Sequence, residues 1–343
     1  MRGDLPAFGQ LYDEPDKREM AYRSALVESS GYCLWTRLRE IAEFAERMEY
    51  TRIGIAHCPD MAREAVLAAL YLRDRMLEVR LPPAKFECDP LGQARTFAKQ
   101  RTKLNIIAGM CVGHEALFTL TSRAPVTALV ARDERFCHNP AVALYTAESY
   151  AHKALYGSVK TAKVTPFRGW DSSTILKVAG ELRPEKHQRW CRVREAMEFA
   201  RRLGVTHIGL SFCVGLRREA AALTRVLEAN AFKVSSVCCK TGAVSKDELG
   251  VRKHEQVRPD QPEMVCNPLL QAELLNRAKV ELVFIVGQCV GHDSATIARL
   301  AAPTISIVAK DRVLGHNTVA ALYQLESLPA TSVVRSGACV SGA

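Results

Sequence analysis

The stretch Val286-Gly287-Gln288-Cys289-Val290-Gly291-His292-Asp293 sets a cysteine between two glycines, three residues ahead of a histidine. An apolar run over 282–286 leads into it as a buried strand, and a helical pattern over 295–300 leads out. Cys289 therefore falls on a strand-to-helix turn. Almost the same text stands earlier, as Ile106-Ile107-Ala108-Gly109-Met110-Cys111-Val112-Gly113-His114-Glu115. The repetition predicts two copies of one thiol-bearing unit.

Outward from these stretches the copies stay in step. Trp35 and Trp190 are 155 residues apart, as are Cys58 and Cys213, and Trp35-Thr36-Arg37-Leu38-Arg39-Glu40 is answered by Trp190-Cys191-Arg192-Val193-Arg194-Glu195. Later pairs are 178 apart: Cys88 with Cys266, Cys111 with Cys289, His114 with His292, Asp133 with Asp311, His138 with His316, Tyr145 with Tyr323. The 23 extra residues form an insertion in the second unit between a strand at 232–237 and Cys266. It includes Cys238-Cys239-Lys240-Thr241-Gly242.

Helical and strand patterns alternate within a copy. In the first, Leu38, Ile41, Ala45 and Met48 mark an amphipathic helix over 36–49. Strands follow at 51–56, 77–81, 104–110 and 126–131, with helices near 61–72, 90–100, 113–122 and 141–150. Asp89-Pro90 and Asn139-Pro140 carry the grammar of an N-cap followed by proline at the first helical position. This predicts an α/β fold of two Rossmann-like units. Each is a roughly four-stranded parallel sheet of order 2-1-3-4 with helices on both faces, and the two pack as a pseudo-dimer. The expected segments are an N-terminal arm (1–30) outside the core, a first repeat (31–150), a connector (151–186) with room for one short element, a second repeat (187–327) and a flexible tail (328–343). Cys339 in that tail is assigned no role.

A chain of 343 residues can bury two cores. No apolar run reaches the roughly 18 residues of a membrane span, and residues 1–22 lack the apolar core of a secretory signal, so a cytoplasmic protein is expected. In that compartment twelve cysteines read as metal ligands or reactive thiols rather than disulfides. The net charge of +10 is spread among acids without a basic run. That is a solvated surface, not a nucleic-acid footprint. The expected partners are a small-molecule ligand or a redox partner, and a homo-oligomer is left open.

In such a fold the strand-to-helix turns share the carboxyl edge of the sheet, where ligands bind. Cys58, Cys88 and Cys111 fall on these turns in the first unit, and Cys213, Cys266 and Cys289 in the second. Each precedes a helix start, whose free amides and dipole favour thiolate. A lone buried cysteine is ordinarily a small hydrophobe, but packing gives no reason for three at equivalent turns in both copies. Both trios are therefore assigned as metal ligands. Three thiolates suit a 4Fe-4S cluster with one open iron; with His114 or His292 they suit tetrahedral zinc, although no paired Cys-x-x-Cys knuckle is present. Gly215 and Gly291, beside the cysteines, are taken as cofactor-binding positions. His292, His316, Lys240 and Asp311 are the candidates for catalysis. Asn139 and Asn317 are read as helix caps. Cys238 and Cys239 offer either an extra ligand or a thiol nucleophile beside Lys240.

Over 190–323 the second unit resembles a family known only as an uncharacterised metal-binding domain of prokaryotes. The resemblance rests on Ile208-Gly209 through Phe212-Cys213-Val214-Gly215-Leu216, on Cys238-Cys239-Lys240, Met264-Val265-Cys266-Asn267-Pro268 and Gln271-Ala272-Glu273, and on Cys289 to Ser294 and Lys310 to Asn317. The first unit is similar more weakly. It has His57-Cys58-Pro59-Asp60 for Phe-Cys-Val-Gly, Arg132 for lysine and Cys137 for glycine, and it lacks the vicinal cysteines. The family often begins with a cysteine-rich segment, of which Cys33 alone remains. The resemblance implies metal binding and names no reaction. Three readings follow: an iron–sulfur protein for small-substrate chemistry or electron transfer, a non-catalytic zinc or soft-metal protein, and a thiol-dependent enzyme using Cys238 or Cys239.

Overall fold

The computed structural model describes residues 8–83, 88–156, 167 and 169–327. The tail and Cys339 lie outside them.

Helix α1 (Pro15–Ser30) is followed by α2 (Arg37–Arg47), β1 (Arg52–Ala56), α3 (Ala62–Asp74), β2 (Glu78–Arg80), α4 (Pro90–Lys99), β3 (Leu104–Ala108), α5 (Val112–Thr121) and β4 (Val126–Val130). Helix α6 (Ser172–Lys186) then opens a second round of α7 (Arg192–Arg202), β5 (His207–Phe212), α8 (Arg217–Ala229), β6 (Lys233–Cys238), α9 (Pro268–Arg277), β7 (Leu282–Val286), α10 (His292–Arg299), β8 (Thr304–Val308) and α11 (Val319–Ser327). Each round makes a four-stranded, wholly parallel sheet, of order β2-β1-β3-β4 and β6-β5-β7-β8. The α/β class, the two units and the strand order are those read from the sequence. β3, β4, β7 and β8 are buried along their whole length, as parallel strands covered on both faces must be.

The sheets turn alike at the cysteines. The pairing register slips between Ile107 and Ala108, and again between Ile285 and Val286. Gly109 (φ +79°) and Gly287 (φ +65°) follow in the left-handed region. A Cβ there would meet the Met61 and Leu216 side chains at 2.6 and 2.4 Å, so the glycines allow both the turn and the close approach.

The pseudo-dimer is locked by a reciprocal crossing. Arg37, at the start of α2 in the first round, donates to Gln288 O (2.7 Å), Ala128 O (3.1 Å) and the Asp293 carboxylate (2.5 Å). Arg192, its counterpart on α7, donates to Met110 O (3.1 Å), Ser306 O (2.7 Å) and the Glu115 carboxylate. Those acids also accept from the outer edge strands of the opposite sheets: Thr127 Oγ1 donates to Asp293 at 2.7 Å, and the Ser306 amide to Glu115 at 2.6 Å. Unpaired edge amides thus gain buried acceptors, and the buried acids gain guanidinium partners.

Three local expectations are corrected. The stretch before Trp35 is not a bare arm: Tyr12, Ala21 and Ala25 are buried, and Tyr12 Oη donates to Asn267 of the second unit. Residues 171–186 hold a full helix, α6, capped by Asp171 accepting from the Thr174 amide at 2.9 Å. Asn139 and Asn317 cap nothing. Their side-chain oxygens are buried without a partner, and the helix after Asn139 ends at Tyr145, not 150. Asp89, by contrast, does cap α4, accepting from the Gly92 amide.

Candidate metal centres

In the first unit the end of β1, the loop before α4 and the first turn of α5 bring Cys58, Cys88 and His114 together. Their donor atoms all lie within 4.8 Å of one another. Sγ of Cys88 is 3.7 Å from Sγ of Cys58 and 2.8 Å from Nδ1 of His114. Two thiolates bound to one zinc at about 2.3 Å and the tetrahedral angle stand about 3.8 Å apart, so this pair is already at single-ion spacing. Cys111 is not one of that trio, but its sulfur interacts with those of Cys58 and Cys88 and with His114, and its amide donates to the Cys58 sulfur at 3.3 Å. Burial disfavours the His114 cation, but the Cys111 and Cys58 sulfurs outweigh it and raise the ring to about 10.

The second unit gathers more sulfur over a wider space. Cys213, Cys239, Cys266 and Cys289 are all buried. The Cys239 thiol interacts with the sulfurs of Cys213, Cys238 and Cys266, and accepts from the Val214 amide at 3.3 Å. Cys213 also interacts with Cys289. Yet among the described residues no trio here is drawn within 4.8 Å, as the first unit's is. Cations close in on the sulfurs. Lys310, only 4% exposed, donates to Cys213 (2.8 Å) and Cys289 (3.4 Å), and Arg312 donates to Cys289 (3.1 Å). Hydrogen bonding from Cys239, with Lys310 further off in effect, holds Cys213 well below the ordinary thiol range; Cys239 does the same for Cys266.

His292 is the test of whether these residues suit a metal. The ring is fully buried beside Cys266 and Cys289, whose sulfurs outweigh that burial and raise it to about 10, and neither nitrogen makes a hydrogen bond of ordinary geometry. Buried polar atoms are seldom left so. An orphaned imidazole against thiolates is a donor set that fits a soft metal or an iron–sulfur group.

The other sequence candidates are held by hydrogen bonds around the second centre, and Lys240 also interacts with the Cys266 sulfur. Asp311 accepts from the Arg37, Val313 and Leu314 amides. His316 accepts from the Asp311 amide through Nδ1 at 3.1 Å, and burial followed by Lys310 pushes it down to about 4, a neutral ring. Lys240 donates to Met264 O at 2.6 Å, a carbonyl presented by the inserted segment. Gly215 has the Cys213 sulfur 3.8 Å from where its Cβ would be. Gly291, at φ +80°, starts α10 and backs onto Ser24 and Phe44 rather than onto a sulfur. Lys310, Arg312 and Glu28 were not singled out. Glu28 comes from α1, accepts from Arg312 at 2.9 Å and lies 3.6 Å from Cys289.

No described helix is long and apolar enough to cross a membrane. The family described as "Protein of unknown function (DUF1847)" matches residues 4–81, 80–129 and 156–307, and the chain belongs to it. An uncharacterised protein of Methanocaldococcus jannaschii, MJ0455, is 36% identical over 160 residues, 47% of this chain and 81% of that protein. Among solved structures, the Cra transcriptional dual regulator of Pseudomonas putida in complex with fructose 1-phosphate aligns over 82% of this chain and 93% of its own, at 10% identity and TM-score 0.23. An aspartate racemase homologue from Pyrococcus horikoshii aligns over 81% and 100%, at 11% and TM-score 0.19. Likeness that faint carries no argument.

Proposed function

We propose that this chain, as a member of that family, is a metal protein with two unlike centres. The second unit is assigned a 4Fe-4S cluster on Cys213, Cys239, Cys266 and Cys289, and the first a single soft ion such as zinc on Cys58, Cys88 and His114. The observation that carries the reading is the contrast in sulfur spacing. Cys58 and Cys88 stand 3.7 Å apart within a trio of donors, whereas no three donor atoms of the second set all lie within 4.8 Å of one another. One ion draws its ligands together; a cuboid of iron and sulfide holds them apart. When bound, such a cluster supplies one-electron transfer.

The chain's own residues are arranged for that role. Lys310 and Arg312 place fixed positive charge on the sulfurs of Cys213 and Cys289. Hydrogen bonds and charge of this kind favour the reduced, more anionic state and raise the potential. Helix α1 covers the site with Glu28 and Ser24 and keeps water from it. Four cysteines leave no iron open, so electron transfer is favoured over small-substrate chemistry at this centre.

Anaerobic preparation of the full chain should give about four iron and four acid-labile sulfide per molecule. Cys239→Ser and Cys213→Ser should lose both, and Cys88→Ser should lose neither. A colourless chain with zinc on both units would overturn the assignment. A thiol-enzyme reading has one observation behind it: Cys238 is half-buried, and hydrogen bonding from Cys239 lowers it to about 6. Loss of one reactive thiol at Cys238 in a metal-free chain would be its mark.

A further inference from the structure

The two centres differ in what covers them. Over the second, α1 brings Ser24 and Glu28, and the insertion brings Lys240 and Lys246. Lys246 pairs with Glu263 at 2.7 Å and lies 3.8 Å from Glu28. The 155-residue correspondence puts Ala179 and Arg183 of α6 where Ser24 and Glu28 stand on α1. The first unit also lacks the insertion. With a smaller side chain on the covering helix and no inserted loop, space remains: a cavity of about 940 Å3, bordered by Cys58, Cys88, His114, Arg132, Leu176 and Arg183. That is within the size range of small-molecule sites.

The charge of the cover is inverted as well. Glu28 faces the second centre, whereas Arg183 borders the first. The neighbouring cations are already paired: Arg132 with Asp60 and Glu134, Lys186 with Glu195, and His187 with Glu134. Among the described residues Arg183 has no ion-pair partner. The donor trio itself supplies three ligands, which leaves a tetrahedral ion its fourth position. Cys111, whose sulfur reaches Cys58, Cys88 and His114 without joining the 4.8 Å trio, is the residue an incoming ligand would have to displace from that position.

We infer that the first centre is a binding site for a small oxyanion-bearing molecule, one end occupying the ion's fourth position and a carboxylate or phosphate end paired with Arg183. A guanidinium matches either group with two parallel hydrogen bonds. The inference rests on the single-ion reading of this centre, and the test separates the two. The full chain is loaded with Co2+, whose visible bands report coordination, and the bands that disappear in Cys88→Ser are assigned to the first unit. Succinate and inorganic phosphate are then titrated separately. One of them is expected to shift those bands. Arg183→Glu, a change at an exposed helix position, should raise the half-saturating concentration at least tenfold with cobalt uptake unchanged, and Arg183→Lys should raise it only a few-fold. Which anion acts decides between a carboxylate and a phosphate ligand. Bands that respond to neither anion, or respond only after Cys111→Ser, would mean that Cys111 closes the site, and the inference fails while the ion site stands. Bands identical in the parent and Cys88→Ser would remove the centre and the inference together.

Discussion

Arg37 and Asp293 meet as a buried ion pair, 2.5 Å apart, although 256 residues separate them. The arginine begins the first repeat and the aspartate follows the second repeat's candidate ligand His292. Burial pushes the Asp293 carboxyl up and Arg37 pulls it back. Asp293→Asn should therefore cost about 3–5 kcal/mol, the usual result of stranding one buried charge, measured as a fall in the urea midpoint of the metal-free chain. It should also lower metal retention in the second unit, since Asp293 fixes the turn into α10 that follows Cys289, whose carbonyl its amide bonds. An unchanged midpoint would show that the crossing does not hold the halves together.

This crossing shows how much of the molecule could be read from its residues. Strand order and the edge on which the cysteines gather follow from alternating apolar runs and turn glycines, which are local signals. The six-residue text beginning at Trp35 and Trp190 was visible too, but its arginines read as the polar face of an amphipathic helix. Their true environment depends on how two sheets abut, which no periodicity encodes. The same holds for Glu28 on α1, which reaches the second centre only through packing of the whole chain. The central place of Cys239 was open for another reason: Cys238 ends β6 and Cys239 opens the turn after it, so their side chains diverge, and sequence alone did not say which faces the centre.

Cys238 and Cys239 should differ sharply in chemistry. In the metal-free chain Cys238 is the acidic, half-buried member, while Cys239 is buried and raised by the sulfurs it serves. Alkylation followed by mass mapping should modify Cys238 first, with a pH–rate inflection near 6. Cys239→Ala removes the donor and should move that inflection toward the ordinary thiol value of about 8.5. First modification at Cys239 would reverse the assignment.

Glu40 gives a pH signature. One oxygen accepts from Arg312 at 2.9 Å and the other is buried without a partner. Burial outweighs that arginine, and the Cys289 sulfur adds to it, so the carboxyl is raised to about 8. The folded chain then holds a proton that the unfolded chain, at about 4.3, has lost. Between those values unfolding releases the proton, so this group's contribution to stability falls as pH rises. Metal-free parent chain should lose stability from pH 5 to 8, and Glu40→Gln, which keeps an acceptor for Arg312, should flatten that slope. Equal slopes in parent and variant would assign the dependence elsewhere.

Gly291 tests whether α1 seals the second centre. Its φ is +80°, and an added Cβ would come within 1.9 Å of Ser24 Oγ and 2.6 Å of Phe44 Cε2. Gly291→Ala therefore combines left-handed strain of about 1–3 kcal/mol with a collision against the covering helix. Ser24 cannot simply swing aside, since its hydroxyl donates to Met20 O at 2.6 Å. We expect α1 to lift: Cys289, buried beneath Glu28, should react with a thiol reagent at least tenfold faster, and α1 should become open to proteolysis. Adding Ser24→Ala removes the nearer clash and should recover part of the protection, whereas the dihedral strain, and the stability it costs, should persist. If Gly291→Ala destabilises the chain but leaves Cys289 as unreactive as before, α1 is not what shields it.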